Sequence, residues 1–129
     1  MKPHQEMEVW KRSFGFVKVI YVETAKFPKS ELYGLTSQMR RASASIPVNI
    51  AEGCARKSDK ELLQFLHISL GSASELDALV LLSAELGLIT KERCGIIIHD
   101  LDFIYKLLIG FINSVKKRIN NAKETDNRK

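Results

Sequence analysis

The sequence predicts an all-α fold, namely an antiparallel up-down-up-down four-helix bundle. In four segments, which are separated by short connections, apolar residues recur at intervals of three or four. No long stretch shows the alternation of apolar and polar residues that is typical of a β-strand. Short connections force successive helices to run antiparallel. The 129 residues, 45% of them hydrophobic, suffice for one core. We therefore expect one domain over residues 1–119 and a basic, frayed C-terminal tail over residues 120–129.

The first helix is predicted to run from about Glu6 to Lys26. It ends before Pro28, because the residue that precedes a proline is disfavoured in the helical conformation. Five residues spaced by 4, 3, 4 and 3 positions are expected to face the core, namely Trp10, Phe14, Val17, Tyr21 and Thr24.

The second helix is predicted to begin at Ser30 and Glu31. Its expected core stripe consists of Leu32, Leu35, Met39, Ala42, Ile46, Ile50 and Gly53. Pro47 lies inside this helix, where a proline removes one backbone hydrogen bond and collides with the preceding turn. We expect a kink or bulge between Ser43 and Pro47, with serine hydroxyls available to the freed carbonyls, or else a break into two shorter helices.

Capping signals delimit the third and fourth helices. Ser58 and Glu61 form a capping box at the start of the third helix, and Gly87 supplies the left-handed residue that ends it. Thr90 caps the fourth helix. The third helix is expected to bury Leu62, Leu66, Ser69, Ala73, Leu76, Val80 and Ser83. The fourth helix is expected to bury Ile97, Leu101, Ile104, Leu108, Phe111 and Val115.

The net charge of +5 is concentrated at the C-terminal end. Residues 116–129 hold six Lys/Arg and two Asp/Glu, whereas residues 1–115 hold fourteen basic and thirteen acidic residues. Such an end can attract phosphate without specificity, or it can be a solvated end that suits the negative pole of a helix. No apolar run approaches the length of about 18 residues that spans a bilayer. Since no signal peptide is recognisable either, we expect a cytoplasmic protein without membrane contact.

The usual motifs of helical enzymes and metal proteins do not occur in the sequence. No histidine has a glutamate three positions before it, as a di-iron site needs, and there is no zinc-hydrolase, dinucleotide-binding or P-loop motif. Cys54 and Cys94 lie in no metal-ligand spacing and are expected to be reduced. We therefore expect no catalytic residue, metal, cofactor or small-molecule substrate.

One enzyme hypothesis rests on Arg93 and His99. Their spacing resembles the R-x(4–6)-H motif of helical HEPN-type ribonucleases. In that chemistry the histidine moves protons for an RNA 2′-hydroxyl and the arginine holds the scissile phosphate. Against it, six residues correspond to a rotation of about 240° around a helix, so the two side chains point apart.

The most informative segment is Tyr33–Ser58. Polar residues follow one face of the second helix at spacings of 3, 4, 4, 3 and 4, namely Gln38, Arg41, Ser45, Asn49, Glu52 and Arg56. The candidate phosphate ligands are Arg40, Arg41, Arg56 and Lys57, since arginine forks match phosphate oxygens. The candidate interface or structural polar residues are Gln38, Ser45, Asn49 and Glu52, with Glu52 spaced to pair with Arg56. The alternative is a solvated or intersubunit face without phosphate contact.

The segments YGLTSQMRRASASIPVNIAEGCARKS, ELLQFLHISLGSASEL and AELGLI resemble the 23S rRNA intervening-sequence proteins, a family of four-helix bundles. The resemblance runs from VWKRS at Val9 into the fourth helix. The family is named for genes in inserts within bacterial 23S ribosomal RNA. Its members are similar to accessory proteins of diversity-generating retroelements, which form homopentameric rings with a basic surface for nucleic acid.

This resemblance implies a bacterial, non-enzymatic homo-oligomer, with a pentamer favoured, and an RNA or DNA partner. The motif positions that it marks are Arg40, Arg41, Asn49, Glu52 and Arg56. The leading hypothesis is therefore an oligomeric bundle that binds structured RNA or other nucleic acid through a basic surface. A first alternative is a purely structural or protein–protein interaction module, in which the polar stripe of Tyr33–Ser58 is the subunit interface. A second is a HEPN-like ribonuclease that uses Arg93 and His99.

Overall fold

Four α-helices follow one another along the chain. They are α1 (Glu8–Thr24), α2 (Ser37–Cys54), α3 (Asp59–Glu85) and α4 (Lys91–Arg128). The computed structural model describes residues 2–128, and no strand occurs in that range. Each helix packs against the next, and α1 also contacts α4, so that the four helices enclose one core. The predicted all-α up-down-up-down bundle is confirmed.

The core stripes predicted for α3 and α4 are confirmed. All seven predicted α3 residues are buried, and in α4 only Phe111 is half-buried. The α2 stripe is buried from Leu35 to Gly53, but Leu32 is 47% exposed. A spacing of three or four residues thus located the buried faces of three helices correctly, because it reflects the turn of an α-helix.

The core stripe predicted for α1 is wrong except at Thr24. Phe14 is 60% exposed and Tyr21 is 44% exposed, while Trp10 and Val17 are half-buried. The residues of α1 that are buried are Val9, Ser13, Phe16, Ile20, Glu23 and Thr24. This buried face contains a serine and a glutamate, so it is less apolar than the face that the spacing predicted. Both polar side chains have partners in the fold, so burying them is tolerated.

The start of α2 is displaced from the predicted position. Residues Lys29–Glu31 form a 3₁₀ turn and Leu32–Thr36 a π-helical turn, inside which Gly34 has a non-helical backbone (φ −111°, ψ −114°). The regular helix begins only at Ser37. The irregular stretch therefore lies before the regular helix.

Pro47 lies inside an unbroken α2, so the predicted alternative of two shorter helices is wrong. Polar side chains bond the carbonyls of the adjoining turns: the Ser43 hydroxyl donates to the Arg40 carbonyl at 2.9 Å. The Ser69 hydroxyl of α3 donates to the Ile46 carbonyl at 2.9 Å, and this bond is buried. Packing against α3 thus adds a buried hydrogen bond beside Pro47. The carbonyl that the proline leaves without its helical donor is that of Ser43, and neither of these hydroxyls bonds it.

The predicted N-terminal caps of α3 and α4 are present, but the capping box is only half formed, because the Glu61 carboxylate accepts from the Ser58 hydroxyl and not from the Ser58 backbone N–H. The Glu61 backbone N–H donates to the Ser58 hydroxyl oxygen at 3.2 Å, and the Arg93 backbone N–H donates to Thr90 Oγ1 at 3.1 Å. Gly87 has a φ of 77°. Next to it, the Leu88 N–H donates to the Ser83 carbonyl at 2.9 Å and closes the end of α3.

Replacing Ser58 with alanine is expected to lower the free energy of unfolding by about 1 kcal/mol, because one N–H of the first turn loses its acceptor. Urea unfolding followed by circular dichroism measures this change. Ser114→Ala, at an exposed position inside α4, is the matched control and is expected to be neutral or slightly stabilising, since alanine has the higher helix propensity. Equal stabilities of the two variants would contradict the capping role.

The two longest helices, α3 and α4, each have a large exposed part. By length and composition alone α3 is long and apolar enough to cross a membrane, and 33% of its most apolar 18-residue window is buried. α4 continues as a helix to Arg128, and its residues 120–127 are exposed. The predicted fraying beyond Ile119, and with it the boundary of the domain, stays a prediction.

Candidate nucleic-acid interface

The predicted polar stripe of α2 lies along the seam between α2 and α3. The Asn49 side-chain amide donates to the Ser45 carbonyl and to the Ser45 hydroxyl, both at 2.8 Å. The Ser72 hydroxyl of α3 donates to the Ser45 hydroxyl oxygen at 2.8 Å. Gln38 and Glu52 are exposed on the same face. The middle of the stripe therefore joins two helices of one molecule, while its ends remain available to a partner.

Arg40 is turned towards α1. Its Nε donates to Thr24 Oγ1 at 2.9 Å and its Nη2 to the Tyr21 carbonyl at 3.4 Å. The guanidinium also lies 4.5 Å from the centroid of the Tyr21 ring, which is the geometry of a cation–π contact. Arg41, the next residue, is exposed. The structure thus separates the two neighbouring arginines, with Arg40 holding α2 on α1 and Arg41 facing solvent.

Arg56 and Lys57 lie in the connection between α2 and α3, at the opposite end of α2 from Arg40 and Arg41. A helix of 18 residues is about 27 Å long at 1.5 Å per residue. The four predicted phosphate ligands therefore form two separate pairs. The guanidinium of Arg56 lies 4.7 Å from the centroid of the Phe65 ring. No ion pair with Glu52 occurs among the residues that the structure describes.

The C-terminal half of α4 lies beside this connection. Arg118 of α4 donates two hydrogen bonds to the Asp59 carboxylate at the start of α3, from Nε at 3.3 Å and from Nη2 at 3.1 Å. This contact brings the basic run of α4 next to Arg56 and Lys57. We call the exposed cations at this end of the bundle the basic end; they are Arg56, Lys57, Lys60, Lys116, Lys117 and Lys123.

The cations of the basic end lack carboxylate partners: within residues 2–127, whose side chains the structure describes, none of them lies within ion-pair distance of a carboxylate. The charge run of residues 116–129 is evident in the sequence, but nothing there assigns these lysines to a site. In the sequence, only their positive charge indicated that these lysines could bind phosphate. Their position beside the α2–α3 connection depends on how α4 packs on α3.

Arg93 and His99 do not form a common site. Arg93 Nε lies 3.3 Å from Glu23 Oε2, and the Glu23 side chain is only 4% exposed. His99 is exposed and borders a groove between α1 and α4 of about 350 Å³. Arg12, whose guanidinium lies over the Phe103 ring, lines the same groove. Arg93 therefore bonds a buried carboxylate, whereas the ribonuclease hypothesis needs it beside His99.

The remaining titratable groups show no metal-binding arrangement in the described part of the chain, where no three His, Cys, Asp or Glu side chains gather. Burial raises the pKa of the Cys54 thiol, and the Arg118 guanidinium opposes this rise. Burial also raises the pKa of the Asp77 carboxyl, with a further contribution from Asp102. Both cysteines are free thiols.

The fold and the site together define a four-helix bundle with a group of exposed cations at one end. A family model described as the 23S rRNA-intervening sequence protein matches residues 5–110. The chain therefore belongs to this family, as its sequence motifs predicted.

A solved structure with a similar fold comes from Bacteroides thetaiotaomicron VPI-5482 and is described as a protein of unknown function from the S23 ribosomal protein family. The two chains share 28% sequence identity and superpose with a TM-score of 0.73. The match covers 81% of this chain and 97% of the other. No curated protein matches the sequence.

Proposed function

We propose that this protein is a non-enzymatic, cytoplasmic, self-associating bundle that binds structured RNA or other nucleic acid through its basic end. The observation that carries the proposal is the contact between Arg118 and Asp59, which joins two basic segments that are far apart in the chain. Lysine and arginine side chains that lack a carboxylate partner are free to bind phosphate oxygens. The name of the family, which refers to ribosomal RNA, is consistent with an RNA partner.

Self-association strengthens such an interface. Each copy carries a net charge of only +5, and a few phosphate contacts are weak at physiological salt. Several copies held in one assembly bind a long nucleic acid at several points, because each further contact is then intramolecular. The pentamer implied by the family resemblance is the proposed size. Arg41 stays a further candidate phosphate ligand, whereas the donors of Arg40 are engaged within the molecule.

The double variant Lys57→Glu/Lys117→Glu is expected to weaken binding to a structured RNA hairpin at least tenfold at low salt. We also expect the slope of log Kobs against log salt concentration to become shallower by about 1 for each phosphate that the variant no longer neutralises. Fluorescence anisotropy at several salt concentrations measures both quantities. The matched control is Lys29→Glu/Lys91→Glu at the other end of the bundle, which changes the net charge by the same amount and is expected to keep the slope.

The outcomes separate the candidate functions. Equal losses of affinity in the two double variants would indicate attraction by net charge alone and would exclude the basic end as the interface. No binding by the unmodified protein would favour the second candidate, a structural or protein–protein module. In that candidate only the exposed ends of the polar stripe are left for a subunit interface, because the hydrogen bonds of Ser45, Asn49 and Ser72 commit its middle to packing within one molecule.

A further inference from the structure

An apolar groove runs between α1 and α2 on the surface of the bundle. It has a volume of about 600 Å³, and Lys18 is the one charged residue among those that line it. We call it the α1–α2 groove; its other lining residues are Trp10, Phe14, Val17, Tyr21, Ala44, Pro47, Val48 and Ala51. Phe14 is 60% and Val48 54% exposed. Aromatic side chains seldom gather on a surface in this way unless another surface covers them.

A second uncovered surface lies on the outside of α3. Residues at spacings of 4, 3, 4, 3 and 4 follow this side of the helix from Ile68 to Leu86. We call the exposed ones the outer stripe; they are Ile68, Glu75, Leu82 and Leu86, whereas Ser72 and Leu79 of the same side pack within the molecule. Ile68, Leu82 and Leu86 are 52%, 46% and 59% exposed. Exposed apolar residues therefore follow a second side of α3, next to the side that packs into the core. This spacing is typical of a seam between two helices.

The two surfaces are complementary in shape, length and charge. A helix presents a ridge that fits a groove between two other helices. Residues 10–21 of α1 span about 17 Å and residues 68–86 of α3 about 27 Å, at 1.5 Å per residue, so the outer stripe is long enough to cover the groove. Lys18 lies in the groove and Glu75 in the middle of the outer stripe, and neither has an ion-pair partner within residues 2–127.

The two surfaces cannot cover each other within one molecule. The groove opens between α1 and α2, whereas the outer stripe belongs to α3, which packs on α2 and α4. A two-fold contact from groove to groove would leave the outer stripe exposed. A head-to-tail contact covers both surfaces at once, and repeated head-to-tail contacts close into rings when the rotation between copies permits.

We propose that the α1–α2 groove of one copy receives the outer stripe of α3 of the next copy. The inference rests on the self-association proposed above and specifies the surfaces that produce it. Residues 61–90 contain four acidic residues and no Lys or Arg. The acidic α3 of one copy then meets the Lys18 side of the next, and the contact repeats around the assembly.

The test uses two single variants of the full chain, Phe14→Glu in the groove and Leu82→Glu in the outer stripe. Each is expected to reduce the mass in solution, measured by light scattering, to that of one chain, 14.6 kDa. Both residues are exposed, so circular dichroism is expected to show an unchanged helix content. Should Phe14→Glu fail to fold, Val48→Glu tests the same groove from α2.

Mixing the two variants provides the sharper result. Phe14→Glu keeps an intact outer stripe and Leu82→Glu keeps an intact groove, so the mixture is expected to form a complex of two chains and nothing larger. Trp10, the single tryptophan, lies in the groove. Its fluorescence is expected to shift to shorter wavelength on mixing, as the ring becomes buried. The matched control is Ile96→Glu, an apolar position on α4 that is 46% exposed and belongs to neither surface, which is expected to stay assembled.

Other results would contradict either self-association itself or the surfaces that we assign to it. A monomeric unmodified protein would refute self-association itself. An oligomer that survives Leu82→Glu but not Phe14→Glu would indicate a two-fold groove contact, and an oligomer that survives both would place the interface elsewhere. Flotation of a monomeric protein with phosphatidylcholine/phosphatidylglycerol vesicles, abolished by Leu82→Glu, would show that lipid covers the outer stripe.

Discussion

Replacing Arg93 with alanine is expected to lower the free energy of unfolding by about 2–4 kcal/mol. The Glu23 side chain is 4% exposed, and Arg93 Nε lies 3.3 Å from its Oε2. Without Arg93 the buried carboxylate keeps only Lys26, which is 62% exposed and lies 3.3 Å from the same oxygen. Breaking a buried ion pair costs about 3–5 kcal/mol, and an exposed pair contributes about 0–1 kcal/mol. The partial exposure of Arg93 puts the expected value between these limits.

Urea unfolding of Arg93→Ala measures the effect, and Arg93→Ala/Glu23→Gln shows its origin. The double variant is expected to regain part of the lost stability, because a neutral amide is less costly to bury than an unpaired carboxylate. Glu8→Gln is the matched control, since Glu8 pairs with Arg12 at the surface and its side chain is 59% exposed. A loss no larger than that of the control would mean that Arg93 does not hold α4 on α1.

Replacing Gly53 with alanine is expected to lower the free energy of unfolding by about 1–3 kcal/mol, the usual cost of overpacking a core. A Cβ at this position would lie 2.9 Å from Phe65 Cβ, 2.9 Å from Leu62 Cδ1 and 3.3 Å from the Leu62 carbonyl oxygen. The Leu62 side chain can rotate away, but Phe65 Cβ and the carbonyl belong to the rigid part of α3. The close approach of α2 and α3 at the basic end therefore requires glycine.

Gly110→Ala is the matched control for Gly53→Ala. Gly110 is exposed on α4, and a Cβ there would meet nothing within 4 Å. Alanine in an open helical position is expected to raise stability by about 0.5–1 kcal/mol. Thermal unfolding of both variants under the same conditions is the measurement. Opposite signs support the close-approach argument, and a gain in both variants would refute it.

Most of the fold was predictable because its signals are local. The caps at Ser58 and Thr90 and the left-handed Gly87 act within one helical turn, and they delimit α3 and α4 where expected. The buried face of α1 was not predictable in the same way. Trp10, Phe14, Val17 and Tyr21 form the more apolar stripe, but in the structure Phe14 and Tyr21 are exposed and Trp10 and Val17 only half-buried.

The candidate site was predicted only in part. Arg41, Arg56 and Lys57 are exposed as a phosphate ligand requires, but Arg40 bonds Thr24 and Tyr21 of α1. The lysines of α4 join the site only through the packing of α4 on α3. Residue type and spacing along α2 contain no information about either arrangement.

Local patterns in the sequence were sufficient to predict four helices, the caps of α3 and α4, the inner faces of α2, α3 and α4, and the family. Which side of α1 is buried, and which cations lie together, depends on how the helices pack. The physical reason is the separation of the partners along the chain: Arg93 bonds a carboxylate 70 residues away, and Arg118 bonds one 59 residues away. A helical period reports only neighbours within a few residues, so contacts of this range become visible only when the helices are packed together.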